Sequence, residues 1–404
     1  MKLSVLFDHQ AFSRQSVGGV SRSFVELARQ MQAISNVEAS ILAPLHWNSY
    51  LQMKNTKQFK IGIYQNIGIY RFWKLRYLIN HTATELYCRR WPPIILHETW
   101  YSSVAYRIPH QIKIAITVHD LIFQVHPEWA TDAAQRATDL AASVDRSDII
   151  FCDTHHTRND LLNWKKIDPQ KVRVVHLGAS ELGSSHRISF EPRVQPKVDV
   201  SENDRFSQIP ASCKLQNRSG LSAALPCGGR PYLLYVGDRA SYKNFPALVK
   251  AFAASGVHRE LALHCFGGGP FTHTEIELFL SLGLSDDCVL QFSGNDDALK
   301  EAYASALAFV YPSLYEGFGL PPLEAMSCDC PVVCSCATCL PEVCGDACLY
   351  FEPKDIESMS HALREIVENS TLREDLIRRG RKQVKMFTWE AMALKVLDAY
   401  SSVL

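Results

Sequence analysis

Short, uninterrupted apolar runs recur along the whole chain and alternate with longer amphipathic segments. Runs of this kind are typical of strands that are buried on both faces of a parallel sheet. Helical periodicity fills the intervals, for example in Ser21–Ala33, Ala130–Val144, Phe245–Ala254 and Ile356–Val367. Strands that alternate with helices predict an α/β fold with doubly wound parallel sheets. The predicted strands are Leu3–Phe7, Val37–Ala43, Ile94–His97, Ile112–Val118, Asp148–Cys152, Val172–His176, Tyr232–Val236, Leu261–Phe266, Val289–Phe292, Leu307–Tyr311, Val332–Cys334 and Cys348–Phe351.

This alternation occurs in two sets, which are separated by a region of different composition. From about Ala179 to Arg230 the chain is rich in Ser, Pro, Gly, Asn and charged residues and poor in large apolar ones. A structureless stretch of that length fits between domains better than inside one. Because 404 residues exceed one ordinary core, we predict two Rossmann-like domains, 1–180 and 231–387, joined by a linker or flexible insertion at 181–230.

The overall charge excludes one class of partner, since 42 basic residues balance 42 acidic ones. A protein that grips polynucleotides by charge is usually basic, so no nucleic acid partner is predicted. The N-terminal apolar run is too short for a signal peptide, and no apolar run reaches the roughly 18 residues of a membrane-spanning helix. We therefore predict a cytoplasmic protein.

Seven of the thirteen cysteines fall between Cys328 and Cys348. Structural zinc sites usually show paired Cys-x2-4-Cys knuckles separated by a longer loop, whereas these cysteines alternate with Val, Ala and Pro. Free cysteine packs as a small apolar residue. We predict that the cluster fills the core, with a metal cluster as the alternative and no disulfides in a cytosolic protein.

A segment rich in Gly and Pro follows the predicted strand that ends at Tyr311 and contains Glu316 and Glu324. A helix is predicted to begin near Leu320, with prolines in its first turn, where they are tolerated. The free N–H groups of this helix would lie at the carboxyl edge of a parallel sheet, which accepts phosphate. Both glutamates are predicted to face one crevice, where they accept hydrogen bonds from the hydroxyls of a sugar and a ribose. The alternative is a solvated Glu316 and a capping Glu324.

Two cations, Arg239 and Lys243, occupy the turn between the predicted strand Tyr232–Val236 and the next helix. Their spacing predicts that they converge on one diphosphate, Arg239 through two hydrogen bonds and Lys243 as a point charge. The alternative is a solvated loop pair. A glycine run that includes Gly268 follows another strand, but the Gly-x-Gly-x-x-Gly fingerprint of nicotinamide-binding proteins is absent there.

The segment Glu-Gly-Phe-Gly-Leu-Pro-Pro-Leu-Glu resembles the Glu-x7-Glu signature of the retaining glycosyltransferase family 4, which has the GT-B fold. Pro331–Cys334 and Leu340–Ala347 are also similar to that family. The resemblance implies two Rossmann-like domains that face a cleft, with the donor on the second and the acceptor on the first. It also implies that a C-terminal helix in 388–404 crosses back to the first domain.

The resemblance also implies roles for single residues. Arg239 and Lys243 would bind the donor diphosphate, and His119, at the end of a predicted strand, would contact a hydroxyl of the transferred sugar; a structural His–Asp pair is the alternative for His119. His97 and its neighbours would line the acceptor side. The implied catalytic residues are Glu316, His119, Arg239 and Lys243, and the implied donor-binding residues are Gly19, Gly237, Arg239, Lys243, Gly268, Gly317, Phe318, Gly319, Leu320 and Glu324.

The implied reaction moves a hexose from a nucleotide diphosphate sugar to a hydroxyl of a glycan or lipid-linked acceptor, with retention of configuration. Tyr235–Asn244 looks most like mannosyltransferases of bacterial surface polysaccharide synthesis, so GDP-mannose is the predicted donor. No Asp-x-Asp occurs, so neither a metal nor a cofactor beyond the co-substrate is predicted. The alternatives are a GT-B sugar phosphorylase, a sucrose-type synthase and a non-catalytic subunit of a polysaccharide assembly complex.

Two segments, Arg71–Tyr77 and Cys88–Trp91, mix cations with aromatic side chains. A surface of this composition fits peripheral contact with anionic lipid, which would place the protein at the inner face of the cell membrane. A solvated helix with a partly buried aromatic face is the more common outcome.

Overall fold

The computed structural model describes residues 2–52, 56–64, 73–179, 230–239 and 241–404. The predicted linker therefore lies outside the described residues, apart from Arg230, as do Arg71 and Phe72 of the first segment that mixes cations with aromatics. No helix in the described part of the chain is both long and apolar enough to cross a lipid bilayer.

The first half of the chain forms a sheet of parallel strands flanked by helices. Its strands are β1 Leu3–Phe7, β2 Val37–His46, β3 Lys60–Tyr64, β4 Ile95–Glu98, β5 Lys113–Val118, β6 Ile149–Cys152 and β7 Val172–Val174. Its α-helices are α1 Gln10–Arg14, α2 Gly19–Gln32, α3 Trp73–Arg90, α4 Ile122–Val125, α5 Ala133–Arg146 and α6 His155–Trp164. The strand order is β3-β2-β1-β4-β5-β6-β7.

The second half forms another parallel sheet in the same way. Its strands are β8 Tyr232–Val236, β9 Ala262–Phe266, β10 Val289–Phe292, β11 Ala308–Tyr311, β12 Val332–Ser335 and β13 Cys348–Phe351. Its α-helices are α7 Phe245–Ser255, α8 His273–Ser281, α9 Asp296–Ser305, α10 Leu320–Ser327, α11 Leu340–Cys344, α12 Ile356–Glu368, α13 Ser370–Val384 and α14 Trp389–Ser401. With the order β10-β9-β8-β11-β12-β13, this sheet and the first confirm the prediction of a doubly wound α/β fold.

The parallel arrangement brings the polar residues that follow the strands to the same edge of each sheet. In the first sheet, Asp8, Thr99, His119 and Asp153 follow the neighbouring strands β1, β4, β5 and β6. In the second sheet, Glu316 lies in the loop after β11. Ligands bind at the carboxyl edge of a parallel sheet in such folds. These polar residues therefore lie where a ligand is expected to bind.

The C-terminal helix α14 joins the two halves by packing against α2. Its Tyr400 hydroxyl lies 2.6 Å from Nδ1 of His97, whose Nε2 lies 2.9 Å from the hydroxyl of Thr117. Burial lowers the pKa of His97 to about 3, so its ring is neutral. The His97 side chain is fully buried beneath α14 and lines no cleft, whereas its neighbours Trp100 and Tyr101, named with it for the acceptor side, line a cavity.

Candidate active site

An ion pair between Lys243 and Glu316 lies at the carboxyl edge of the second sheet. The Lys243 ammonium donates to Oε1 of Glu316 at 2.7 Å and to the Tyr311 hydroxyl at 3.2 Å. Both side chains are largely buried, at 15% and 12% exposure. A cation and a carboxylate in one partly desolvated corner are suited to binding a phosphate and a sugar hydroxyl side by side.

The loop that carries Glu316 is held in place by contacts with both halves of the molecule. The N–H of Glu316 donates to the Thr338 hydroxyl, and the carbonyl oxygen of Gly317 accepts from the Thr154 and Thr157 hydroxyls of the first half. A Cβ at Gly317 would lie 1.8 Å from the carbonyl oxygen of His119. Position 317 therefore requires glycine, and this close approach sets the Glu316 loop against the His119 loop.

The backbone just before α10 is left-handed, which is a conformation that glycine adopts readily. Gly319 has φ +87° and precedes the first turn of the helix. Leu320 begins α10, and two prolines follow in the first turn as predicted. The expected strand, glycine loop and proline-started helix are therefore present.

His119 pairs with a carboxylate that follows the neighbouring strand. Its Nδ1 lies 2.7 Å from Oδ2 of Asp153, while its buried Nε2 has no hydrogen-bond partner within the described part of the chain. Burial acts to lower the pKa of His119, but the nearby Asp153 carboxylate outweighs it and raises the pKa above the ordinary 6.5. Asp153 also orients the ring, so the alternative of a His–Asp pair and the predicted contact with a ligand are compatible.

Glu324 is held by a residue of the opposite half. Nη1 of Arg22 on α2 donates to Oε1 of Glu324 at 2.9 Å, and Glu324 is only 9% exposed. Burial raises the pKa of Glu324, and the Arg22 guanidinium opposes that rise. Glu324 thus points across the cleft rather than into open solvent, and α2 meets α10 again where Gly19 approaches the Leu320 side chain.

Arg239 forms contacts that the sequence did not predict. Its Nε donates to Glu275 at 2.6 Å, and its Nη2 donates to the carbonyl oxygens of Gly269 and Pro270. The guanidinium also lies 4.9 Å above the Phe271 ring, and the side chain is 5% exposed. Arg239 and Lys243 therefore contact different carboxylates, and Arg239 holds the glycine loop after β9. Their convergence on one diphosphate stays a prediction.

The remaining predicted donor-binding residues lie in different environments. Gly237 follows β8, and Gly268 approaches it so closely that a Cβ there would lie 3.0 Å from the Gly237 carbonyl oxygen. The Phe318 side chain, in contrast, is buried against His176 and Phe387. Its ring packs between the two halves of the chain and only its backbone is left to contact a donor.

A cavity of about 1120 Å³ lies beside His119 in the first half of the chain. Its lining includes Trp47, Trp73, Tyr77, Trp100, Tyr101 and Phe123, together with Arg14, Arg76 and Arg136. The three guanidinium groups lie over the rings of Trp100, Trp47 and Phe123 at 5.7, 5.7 and 4.2 Å. Flat aromatic surfaces and fixed hydrogen-bond donors suit the apolar faces and hydroxyls of sugar rings.

A second carboxylate crosses between the halves at Glu342 of α11. It accepts from the backbone N–H groups of His155 and His156 at 2.8 and 3.2 Å and lies 2.8 Å from Nε2 of His176. Glu342 therefore caps the N-terminus of α6, where a negative charge is favourable.

Several of these residues were not singled out from the sequence. Asp153 follows a predicted strand, so the rule that identified His119 would also have found it. Arg22 and Glu342 gave no such signal, because their partners lie 302 and 166 residues away along the chain.

The cysteine cluster lies behind the Glu316 loop. Cys339 donates to the carbonyl oxygen of Glu316 at 3.1 Å. Within the described residues, three buried thiols, those of Cys334, Cys344 and Cys348, have sulfur atoms within 4.8 Å of one another and could hold a metal ion. Cys336 is exposed, unlike the predicted core-filling residues.

Comparison with known proteins relates both halves of the chain to glycosyltransferases. Residues 17–180 match the family model described as Glycosyltransferase Family 4, and residues 223–383 match that described as Glycosyl transferases group 1. The chain is 26% identical over 408 residues to O-antigen chain mannosyltransferase B of Escherichia coli, with 95% of each chain covered. It is 24% identical over 360 residues to O-antigen chain mannosyltransferase RfbU of Salmonella typhimurium, with 86% of this chain and 87% of that one covered.

Among solved structures, sucrose-phosphate synthase from Thermosynechococcus elongatus superimposes with a TM-score of 0.69 at 18% identity. The alignment covers 100% of this chain and 99% of that one. At this identity the likeness concerns the fold, and it extends over both sheets.

Proposed function

Because the chain belongs to the family 4 glycosyltransferases and has the GT-B fold, we propose that it transfers mannose from GDP-mannose to a hydroxyl of a glycan or lipid-linked acceptor, with retention of configuration. The names of the two bacterial relatives, both O-antigen chain mannosyltransferases, support mannose as the sugar and surface polysaccharide as the product.

The observation that carries the proposal is the Lys243–Glu316 pair beside His119. In the proposed reaction, the acceptor oxygen bonds to the anomeric carbon as the bond from that carbon to the diphosphate breaks. Lys243 stabilises the negative charge that grows on the departing diphosphate, which is worth about 3–4 kcal/mol for one well-placed donor. Glu316 accepts a hydrogen bond from a hydroxyl of the mannose.

His119 lines the cavity, and its buried Nε2 has no hydrogen-bond partner in the described part of the chain. In the proposal, this nitrogen binds a hydroxyl of the transferred sugar while Asp153 fixes the ring. The proton of the acceptor hydroxyl passes to the departing diphosphate, which acts as the base. Lys243 and the start of α10 supply the positive charge, so no divalent metal is required.

A thermal-shift panel with the purified full chain tests the donor without needing an acceptor. GDP-mannose should raise the melting temperature more than UDP-glucose or UDP-galactose, because a ligand that binds only the folded state stabilises it by mass action. Stabilisation by a UDP-sugar with none by GDP-mannose would overturn the donor assignment.

A transfer assay with GDP-mannose and a bacterial lipid extract tests the reaction. The expected products are GDP and an α-linked mannoside, and a chelator should leave the rate unchanged. A β-linked product would exclude retention, and loss of activity with the chelator would exclude metal independence. Transfer from a sugar 1-phosphate with release of inorganic phosphate would instead identify a phosphorylase.

A further inference from the structure

Three cysteines of the cluster behind the Glu316 loop come from one β–α–β unit. Cys334 lies in β12, Cys344 ends α11 and Cys348 begins β13. The two strands are parallel neighbours, with Val332 opposite Cys348. Because side chains alternate along a strand, Cys334, two residues after Val332, projects from the same face of the sheet as Cys348. The Cys344 sulfur, from the crossover helix, joins them on that face.

The three side chains, which we call the trithiol group, bring their sulfur atoms close together. The sulfurs of Cys334, Cys344 and Cys348 all lie within 4.8 Å of one another, and the side chains are 0%, 0% and 7% exposed. Sulfurs bound to one zinc ion lie roughly 3.8 Å apart, given a Zn–S bond of about 2.3 Å and tetrahedral angles. The observed separation therefore exceeds that of a metal-bound set by no more than about 1 Å, which small side-chain rotations can close.

Other cysteines of the same segment have different partners. Cys330 and Cys339 each donate their thiol to a backbone carbonyl oxygen, and Cys336 donates to a carboxylate. The members of the trithiol group instead face one another's sulfur atoms. A cysteine that only fills the core packs as a small apolar residue and needs no sulfur neighbour. The trithiol group is therefore distinct from the other cysteines of the cluster.

The trithiol group lies in apolar surroundings. Leu340, Val343 and Ala347 belong to the same cluster of buried side chains. Thiolates are costly in such surroundings unless a cation accompanies them. A metal ion would supply that positive charge where the sulfurs meet, and the apolar shell would keep water away from it.

We propose that the trithiol group binds one thiophilic metal ion, Zn²⁺ or Cu⁺, through its three sulfurs. Thiolate sulfur is the ligand type that favours these two ions. On binding, the thiols lose their protons to solvent and three metal–sulfur bonds form. Zn²⁺ in structural sites takes four ligands and would need one further donor, whereas Cu⁺ is commonly satisfied by three sulfurs. Metal analysis distinguishes the two ions.

The proposed ion would fix α11, which contacts two other parts of the molecule. Glu342 of α11 caps α6 in the first half, and Cys339, just before α11, donates to the Glu316 carbonyl oxygen. The ion is therefore structural, and we expect its effect on the stability of the fold and not on the transfer step. Its binding stands on the trithiol group alone and does not rest on the proposed function.

Metal analysis of the purified full chain by inductively coupled plasma mass spectrometry tests the proposal. After incubation with Zn²⁺ or Cu⁺ under reducing conditions and removal of unbound ion, the chain should retain about one ion per molecule. The melting temperature should rise by several degrees, because an ion that binds only the folded state stabilises it. Co²⁺, as a spectroscopic probe, should give thiolate-to-cobalt charge-transfer absorption that saturates at about one equivalent.

Cys344→Ala should lose the retained ion, the thermal shift and the cobalt absorption. The matched control is Cys330→Ala, which removes another buried thiol of the same segment, only 2% exposed, and should keep all three. Cys348→Ala is a second variant, and circular dichroism checks that each variant is folded. If neither variant folds, the metal content and cobalt spectrum of the wild type decide.

A wild-type chain that retains neither ion, or equal metal content in folded Cys344→Ala, would overturn the proposal. An intact mass lower by two hydrogen atoms, without metal, would overturn it in favour of a disulfide. Because metal content is measured without a nucleotide sugar, its result is read separately from that of the proposed function. An unchanged transfer rate after brief chelation is compatible with the ion, since the sulfurs are buried, and metal content after that treatment shows whether the ion remained.

Discussion

Glu316 and Glu324 lie on one short segment, yet the cations that hold them come from different halves of the molecule. Lys243, which pairs with Glu316, belongs to the same half and lies 73 residues away along the chain. Arg22, which pairs with Glu324, reaches across from α2 and lies 302 residues away. The first pair is organised within one domain, whereas the second depends on how the two halves meet. Substitutions in the two pairs should therefore affect kcat and KM differently.

The largest effect is expected from Glu316→Gln, which keeps the size of the side chain and removes its charge. If Glu316 acts on the sugar in the transition state, kcat should fall by roughly a hundredfold or more while donor binding changes little. Steady-state kinetics with GDP-mannose provide the measurement. A raised KM with an unchanged kcat would show that Glu316, like Glu324, acts on donor binding and not on the transfer step.

A smaller effect is expected from Arg22→Ala. Without the guanidinium, burial raises the pKa of Glu324 further, so the carboxylate becomes a weaker acceptor for a ribose hydroxyl. The KM for the donor should rise by about tenfold with a smaller change in kcat, and the defect should grow as the pH falls. Arg29→Ala is the matched control, since Arg29 lies on the same helix and pairs with Glu26. A loss confined to kcat would contradict this assignment.

The smallest change in rate but a clear spectroscopic change is expected from Asp153→Asn. In the wild type, the Asp153 carboxylate raises the pKa of His119, so this pair contributes stability below pH 6.5 that is lost as the pH rises through the folded-state pKa. In the variant, burial and the weaker opposing influence of the Asp120 carboxylate remain, so the pKa of His119 should fall. Histidine NMR titration, with His119→Gln to assign the signal, measures the change. A titration midpoint that does not move would show that Asp153 has no electrostatic influence on His119.

The strands of the sheets were predictable because they are buried on both faces, so their sequences are continuously apolar. Four of the predicted strands, such as Tyr232–Val236, agree with the structure at both ends. The edge strand β3 was not predicted, and a helix was considered only for the two segments that overlap the ends of α3. The middle of α3 was missed because most of its buried side chains are polar and several exposed ones are apolar, so the usual periodicity is absent.

The site was predictable where local chain geometry decides it, and not where distant residues compete for a side chain. The Glu316 loop, Gly319 and the start of α10 follow from a glycine loop after a strand. Arg239 shows the limit. Its spacing from Lys243 predicts that both bind one diphosphate, but it gave no sign of the ion pair with Glu275 of α8, which lies 36 residues away along the chain.

The central claim is that the Lys243–Glu316 pair binds the donor, and calorimetric titration of GDP-mannose into Lys243→Ala tests it most directly. Lys250→Ala is the matched control, because Lys250 is exposed on the next helix, α7. We predict that Lys250→Ala binds GDP-mannose like the wild type and that Lys243→Ala binds it at least about tenfold more weakly, because it loses a charged phosphate contact. Equal affinity in Lys243→Ala and the wild type would contradict the assignment of the donor site.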